Sequence, residues 1–273
     1  MVATREDVAT LLDRALGHAT TEQAEALYLA QDSALTRFAT NQIHQNMREH
    51  DAQLQVRVID HDRVGVASTN RLDEEGIRTV VDRATAIAER SAPNPRAAIL
   101  PEPDDRTFDP ELGYVAATAE AGADLRAEGA RAVIAAGERT GLQSSGSFST
   151  SVMSIAVANS NGIRAEHRST RSALLTVMMD GFASGAASGY AHAGSPDVRE
   201  IDAEALGGEA AEKGDRMRGA GELEPGEYEA TVFVERLEGD GAPPNQQQSM
   251  ALREPYKIKV TVEAGHTVTI VVP

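Results

Sequence analysis

Five prolines between residues 93 and 110 divide this chain into two segments, and this division constrains the fold more than any other feature. Proline lacks a backbone N–H donor and disfavours helix in the residue before it, so the stretch predicts a connector. We therefore place the domain boundaries around it. The expected parts are an N-terminal domain at 1–92, a connector at 93–115, a middle domain at 116–222 and a tail at 223–273.

The N-terminal segment predicts a helix, then strands, then a second helix. Apolar residues recur at helical spacing from Val8 to Leu16, and Gly17 ends that run. Alternating apolar and polar residues from Glu25 to Thr69 indicate strands, with a hairpin turn at Asp60-His61-Asp62. The second helix is expected from Asp73 to Arg90.

The middle segment predicts a long helix followed by strands. An alanine-rich helix is expected from Ala116 to Thr140, ending at Gly141. Strand patterns run from Leu142 to Tyr190, and Asn159-Ser160-Asn161-Gly162 contains the Asn-Gly pair that is typical of a tight turn. Another helix is expected from Asp197 to Arg218, with an interruption at Gly207-Gly208.

The tail predicts short strands. One is expected at Tyr228–Val234, and a hairpin is expected from Tyr256–Val262 and Thr267–Val272 around Ala264-Gly265. The whole pattern indicates an α+β fold. It consists of an N-terminal helix–sheet–helix domain, a middle domain with a long helix and an antiparallel sheet, and a short β tail.

Charge and composition argue against several classes of partner. The chain has 26 basic and 42 acidic residues, a formal net charge of −16, and no cluster of basic residues that would bind a phosphate backbone. Its N-terminus lacks the order of a signal peptide, and it has no apolar run long enough to span a bilayer. We therefore expect a cytoplasmic protein that binds neither nucleic acid nor membrane.

A search for catalytic motifs identifies no active site. The chain has no cysteine, no Gly-x-Ser-x-Gly sequence, and no pair of its seven histidines at the spacing of a helical zinc motif. A zinc site formed by long-range convergence of His44, His167 and His192 stays open as an alternative. We accordingly expect no catalytic residue, no metal ligand and no cofactor in this chain.

Three motifs nevertheless carry a family resemblance. The first is Ser33 to Asn46, which reads SALTRFATNQIHQN, and the second is Arg63 to Asn70, which reads RVGVASTN. The third combines Ser147-Phe148-Ser149-Thr150 with the sequence from Ala156 to Gly162. Over about residues 5 to 228, the chain resembles the TldD/PmbA (TldE) family, also called modulator-of-gyrase proteins or TldD/TldE metallopeptidases.

The resemblance implies a cytoplasmic, two-subunit peptidase that degrades small peptides and unfolded segments. In such complexes one subunit carries zinc, and the other, PmbA/TldE-like, does not. The family's zinc motif lies in a C-terminal domain, and the tail of this chain from about Ala230 does not resemble that domain. A frameshift, a fusion and a divergent replacement are the open explanations. We expect zinc only in a partner subunit. The expected protein partner is a TldD-like subunit or a second copy of this chain.

Five residues of the first motif are candidates for substrate or interface contacts: Arg37, Asn41, His44, Gln45 and Asn46. A polar strand of this kind can pair with an extended peptide by adding a strand to a sheet edge, or can line an interface. The alternative is that Arg37 and Asn41 only form a tight turn. Gly65 is expected to allow close strand packing.

The expected function is therefore that of a TldD/PmbA-like, peptidase-related subunit without its own metal, acting on peptides or unfolded segments together with a zinc-bearing partner. Whether the chain is itself an enzyme is left open, and we expect it to be inactive alone. The alternatives are a non-enzymatic protein-binding module and an inactive remnant.

Overall fold

A computed structural model describes residues 5–94, 99–181, 183 and 186–218, together with the backbone of 226–232 and 256–262. The chain divides into two compact units, Met1–Arg218 and Gly219–Pro273. The first unit contains all the candidate residues named above.

The first half of this unit has the expected order of elements. They are helix α1 (Arg5–His18), strands β1 (Gln23–Ala39), β2 (Gln42–Asp60) and β3 (Arg63–Thr69), and helix α2 (Glu74–Arg90). Asp73 caps α2, because its carboxylate accepts a hydrogen bond from the Gly76 amide at 2.7 Å. The predicted turn between β2 and β3 is confirmed, with His61 and Asp62 both at positive φ.

The second half follows the predicted connector, in which the described residues form no helix or strand before Ala116. Its elements are α3 (Ala116–Ala119), α4 (Ala123–Thr140), β4 (Gln143–Asn159), β5 (Arg164–Met179), β6 (Ser188–Ser195), a short 3₁₀ helix (Val198–Glu200) and α5 (Ala203–Met217). The predicted Asn-Gly turn separates β4 from β5, and Gly162 has a φ of +100°.

The six strands of the first unit form one antiparallel sheet in the order β3-β2-β1-β4-β5-β6. The two halves meet at its centre, where β1 pairs with β4 from Glu25 opposite Asn159 to Phe38 opposite Gly146. The sheet therefore runs without a break through the parts of the chain on either side of the connector.

The two halves share one architecture, a helix, three strands and a helix. In each half the first two strands are long, and the short third strand pairs only with the last part of the second, at Leu54–Asp60 of β2 and at Ser172–Met179 of β5. The antiparallel pairing of β1 with β4 relates the halves by an approximate two-fold rotation. The first halves of β2 and β5 are thus equivalent positions in the sheet.

The helices pack on one face of the sheet. Even-numbered residues of β1 from Ala24 to Phe38 are buried, except the half-buried Asp32, and several of them contribute to two apolar clusters. One cluster lies under α1 and α2, and the other under α4 and α5. No described helix packs on the opposite face, where odd-numbered residues lie because side chains alternate along a strand.

Two sequence predictions about helices are wrong. The helix expected from Ala116 to Thr140 is broken into α3 and α4, because Gly122 adopts an extended conformation as the N-cap of α4. The interruption expected at Gly207-Gly208 does not occur, since α5 continues through both glycines. Gly207 instead allows close packing on α4: a Cβ there would lie 3.0 Å from the Val133 Cα.

Gly65 allows close packing of α2 on β3 rather than of one strand on another, because a Cβ at this position would overlap the Ala84 carbonyl oxygen in α2. In the second unit, β7 (Gly226–Val232) pairs with β8 (Tyr256–Val262) in an antiparallel two-stranded sheet. The partner of β8 is thus β7, and the strand expected at Thr267–Val272 lies outside the described residues. No helix among the described residues is long and apolar enough to cross a membrane.

Candidate functional site

Asn41 lies in the two-residue turn between β1 and β2. Thr40 and Asn41 both have positive φ, at 47° and 58°, the conformation that a tight hairpin turn requires. The Asn41 amide group also joins the two halves of the sheet, because its Nδ2 donates to the Leu142 carbonyl at 3.2 Å and its Oδ1 accepts from the Ser144 amide at 2.7 Å. These contacts give Asn41 the turn-forming role that was the alternative for it.

Arg37 and Gln45 are cross-strand partners on the open face of the sheet. Arg37 lies opposite Gln45 of β2 on one side and opposite Ser147 of β4 on the other. Its side chain is exposed and forms no ion pair with any described residue. It belongs to the strand rather than to the turn, and its guanidinium is accessible to a molecule on the open face.

The remaining two candidates have different surroundings. The register between β1 and β2 shifts between Arg37 and Phe38, so His44 is an extra residue without a partner in β1, and it forms an exposed β-bulge. Asn46 lies on the helix side of the sheet, where its Oδ1 accepts a hydrogen bond from the Thr36 hydroxyl at 3.3 Å. The five candidates are therefore neighbours along one hairpin, but they do not converge on a single point.

Three of the candidates, His44, Gln45 and Asn46, lie on a free strand edge. From Gln42 to Gln53, β2 pairs with β1 on one side only, because β3 pairs with β2 from Leu54 onward. Every residue of this segment except Gln45 and Ala52 is exposed. Twelve residues of strand give an edge about 40 Å long, along which backbone groups that point away from β1 have no strand partner among the described residues.

The equivalent edge in the second half is covered. Residues 164–171 of β5 also lack a neighbouring strand, but the end of the connector runs along them. The Arg168 amide donates to the Pro110 carbonyl at 2.8 Å, and the Thr170 amide donates to the Gly113 carbonyl at 3.0 Å. A turn of the connector, residues 110–113, therefore already occupies part of the equivalent edge of this sheet.

Only one group of possible metal ligands exists among the described residues, and it consists of Glu22, Asp60 and His61. The group is open to solvent, and its members bind one another: the Glu22 amide donates to Asp60 at 3.3 Å and the His61 amide donates to Glu22 at 3.3 Å. The side-chain contact with Asp60 raises the pKa of His61, and the same contact lowers the pKa of Asp60.

This donor set does not fit a catalytic zinc site. Such sites use about three protein ligands, mostly histidines, around an ion that keeps one position open. Here a single imidazole stands beside two carboxylates on a surface turn. His44, His167 and His192 do not converge with one another in the described part of the chain.

The sequence analysis missed Arg126, the fourth residue of α4. Its side chain is buried, with 3% of the residue exposed, and its charge has no carboxylate partner among the described residues. Burial lowers the pKa of Arg126, and the charge of Arg48 lowers it further. The sequence signal was available, because Arg126, Ala130 and Val133 occupy the helical spacing that faces a core.

Comparison with known families agrees with this architecture. Residues 24–88 match the family model described as PmbA/TldA metallopeptidase domain 1, and residues 104–218 match the PmbA/TldA metallopeptidase central domain. The fold is thus that of the metallopeptidase-related α+β proteins built from these two domains. The chain belongs to the PmbA/TldD family.

Solved structures share the fold at low sequence identity. A protein from Thermotoga maritima described as a modulator of a DNA gyrase matches with a TM-score of 0.71 and 13% identity, over 83% of this chain and 52% of its own length. TldE from Thermococcus kodakarensis gives 0.70 and 16%, over 84% and 51%. A modulator of DNA gyrase from Bacteroides thetaiotaomicron gives 0.68 and 19%, over 84% and 54%.

This chain therefore spans about half the length of the solved structures that it matches. A comparison with curated proteins gave no match.

Proposed function

We propose that this chain is the peptide-holding part of a TldD/PmbA-type peptidase, and that it binds an extended peptide or an unfolded segment along Gln42–Gln53 of β2. A zinc-bearing, TldD-like partner subunit supplies the hydrolytic chemistry. Membership in the family supports the relation to peptidases.

The observation that carries the proposal is the contrast between the two equivalent edges. The β5 edge has the backbone of a connector turn hydrogen-bonded to it, whereas the β2 edge is free in the described structure. A peptide at the β2 edge gains backbone hydrogen bonds, each contributing about 0.5–1.5 kcal/mol. Recognition through the backbone tolerates many side chains, which suits a peptidase for unfolded segments.

The side chains along this edge set a limit on the orientation and composition of the peptide. Arg48, Glu49 and Asp51 place charges of both signs along it. Charges on an edge strand and the bulge at His44 hinder uncontrolled pairing between copies of a protein.

The test uses proline at neighbouring positions. Neighbouring residues of an edge strand direct their N–H groups to opposite sides, so one of Glu49→Pro and His50→Pro removes an outward donor while the other breaks a bond to β1. We expect the variant that stays folded to lose binding of a fluorescein-labelled Thr-Gln decapeptide, measured by anisotropy. Glu49→Ala and His50→Ala, which keep the N–H groups, should bind it like the parent protein.

A second peptide separates backbone pairing from other contacts. The same decapeptide with every backbone amide methylated has no N–H donor on either edge and should not bind. Equal binding of the two peptides would contradict the proposal. A folded proline variant that binds peptide normally but loses a dimer would identify the edge as an interface between copies instead.

The role as a subunit is tested by co-expression with a zinc-bearing relative. We expect a stable complex that cleaves an unfolded polypeptide, and we expect the folded proline variant to assemble with its partner but cleave more slowly. A complex that binds peptide without ever cleaving it would support the alternative of a binding module.

A further inference from the structure

A cavity lies in the gap between the two groups of helices, on the helix side of the sheet. Its volume is about 370 Å³. The floor is formed by β1, β2 and β4, and one wall is formed by the end of α3 and the start of α4. Residues from each of these elements line it, including Ala34, Met47, Thr150, Glu120, Gly122 and Arg126.

Arg126 presents an incompletely bonded guanidinium to this cavity. Nη1 donates to the Ala121 carbonyl and to the Thr150 hydroxyl, both at 3.0 Å. Nε is buried and has no hydrogen-bond partner, and no described residue accepts from Nη2. A buried charge without a partner destabilises a fold. The Nε and Nη2 edge of the guanidinium therefore requires an acceptor that the described residues do not supply.

The fold itself does not need an arginine at this position. The approximate two-fold rotation relates α4 to α1, and the buried residues of the two helices correspond in spacing. Arg126, Ala130 and Val133 are the equivalents of Val8, Leu12 and Ala15. The equivalent of Arg126 is thus a valine, which packs against the same sheet without any polar contact.

The charges around the cavity leave one positive charge unbalanced at its base. Arg48 is neutralised by Asp32, because its Nε and Nη2 contact the two carboxylate oxygens at 2.9 and 2.6 Å. Glu120 is exposed at the rim and makes no ion pair with Arg126 in the described structure. The N-terminus of α4 adds partial positive charge, since Gly122 provides no side chain to cap it.

We propose that this cavity binds the carboxylate of a small molecule or of a peptide C-terminus through Arg126. A carboxylate carries the single negative charge that balances Arg126, and its two oxygens match the planar fork of a guanidinium. The proposal does not rest on the peptide-binding edge, and either of the two can fail alone.

The test is calorimetric titration of the full chain with N-acetylglycine, whose carboxylate resembles a peptide C-terminus, and with neutral N-acetylglycinamide. We expect saturable binding of the acid, with one molecule per chain, and no binding of the amide. Arg126→Met should weaken binding at least about tenfold, because it removes a charge-assisted hydrogen bond. Arg131→Met, which removes an exposed arginine from the same helix, is the matched control and should bind like the parent.

Two further measurements keep the test decisive. If Arg126→Met does not fold, Arg126→Lys retains the charge but loses the fork, and it should also bind the acid more weakly. In the parent protein, the Nε–Hε NMR signal of Arg126 should shift in proportion to the bound acid. Equal binding of acid and amide, unchanged affinity in both Arg126 variants, or a static Nε signal would overturn the proposal.

The source of the carboxylate is distinguished by two more probes. Acetate, which has no peptide group, should bind more weakly than N-acetylglycine if the site is used for peptide C-termini, and equally well if it is used for small acids. Inorganic phosphate binding more tightly than either would overturn the assignment to a carboxylate.

Discussion

Asn41 shows how a single side chain in a turn joins distant parts of the chain. We expect Asn41→Ala to lower the free energy of unfolding by about 2–4 kcal/mol, because it removes two side-chain hydrogen bonds and places alanine at positive φ. Asn41→Gly loses the same hydrogen bonds, but glycine adopts positive φ without strain. It should therefore lower the free energy of unfolding by about 1 kcal/mol less than Asn41→Ala. Urea denaturation measures both. An Asn41→Ala variant as stable as the parent would contradict this role.

The ion pair of Asp32 with Arg48 predicts a dependence of stability on pH. The hydrogen bond from Arg48 holds the pKa of Asp32 below its usual value of 3.8. A carboxyl group whose pKa is depressed by folding stabilises the protein above its unfolded pKa, and this contribution disappears as the pH falls through the folded value.

We therefore expect Asp32→Asn to be less stable than the parent at pH 7, with the difference shrinking below about pH 4. Urea midpoints measured across this range test the expectation. Asp104→Asn is the control: Arg106 also lowers the pKa of Asp104, but this pair is exposed and screened by water. A constant difference at all pH values would show that Asp32 acts by packing alone.

At the scale of elements, two neighbouring glycines in α5 have opposite roles. A Cβ at Gly208 would meet no other atom within 4 Å. Gly208→Ala should therefore stabilise the protein by about 0.5–1 kcal/mol, because alanine has the higher helix propensity. At Gly207 a Cβ would meet the backbone of α4, and the overpacking in Gly207→Ala should cost about 1–3 kcal/mol. Thermal unfolding of the two variants compares them directly. Equal melting temperatures would contradict the expected overpacking between α4 and α5.

At the scale of the whole molecule, the donor set of the described residues predicts no zinc catalysis by this chain alone. One histidine and two carboxylates on a surface turn do not form a catalytic site, so zinc should bind weakly and be lost on dialysis. Metal analysis and a peptide-cleavage assay check this. Stoichiometric zinc after dialysis, together with cleavage that a chelator abolishes, would contradict it.

The candidate site could be located from the sequence, but its geometry could not. The motif around Arg37 identified the correct hairpin, since turn residues and strand alternation are local patterns. The motif could not show that Arg37 faces the open side while Asn46 faces the helices, because a bulge at His44 changes the register. It also could not show that the β2 edge is free, which depends on where β3 ends.

The sequence by itself determined the kinds of elements, their order and some of their ends. Helical spacing, the cap at Asp73 and the Asn-Gly turn depend only on residues that are close along the chain. Only the tertiary structure decided that two α/β segments share one sheet, because its central pairing joins residues as distant as Phe38 and Gly146. The burial of Arg126 and the exposure of the β2 edge follow from that assembly. Both depend on non-local contacts, which no local pattern encodes.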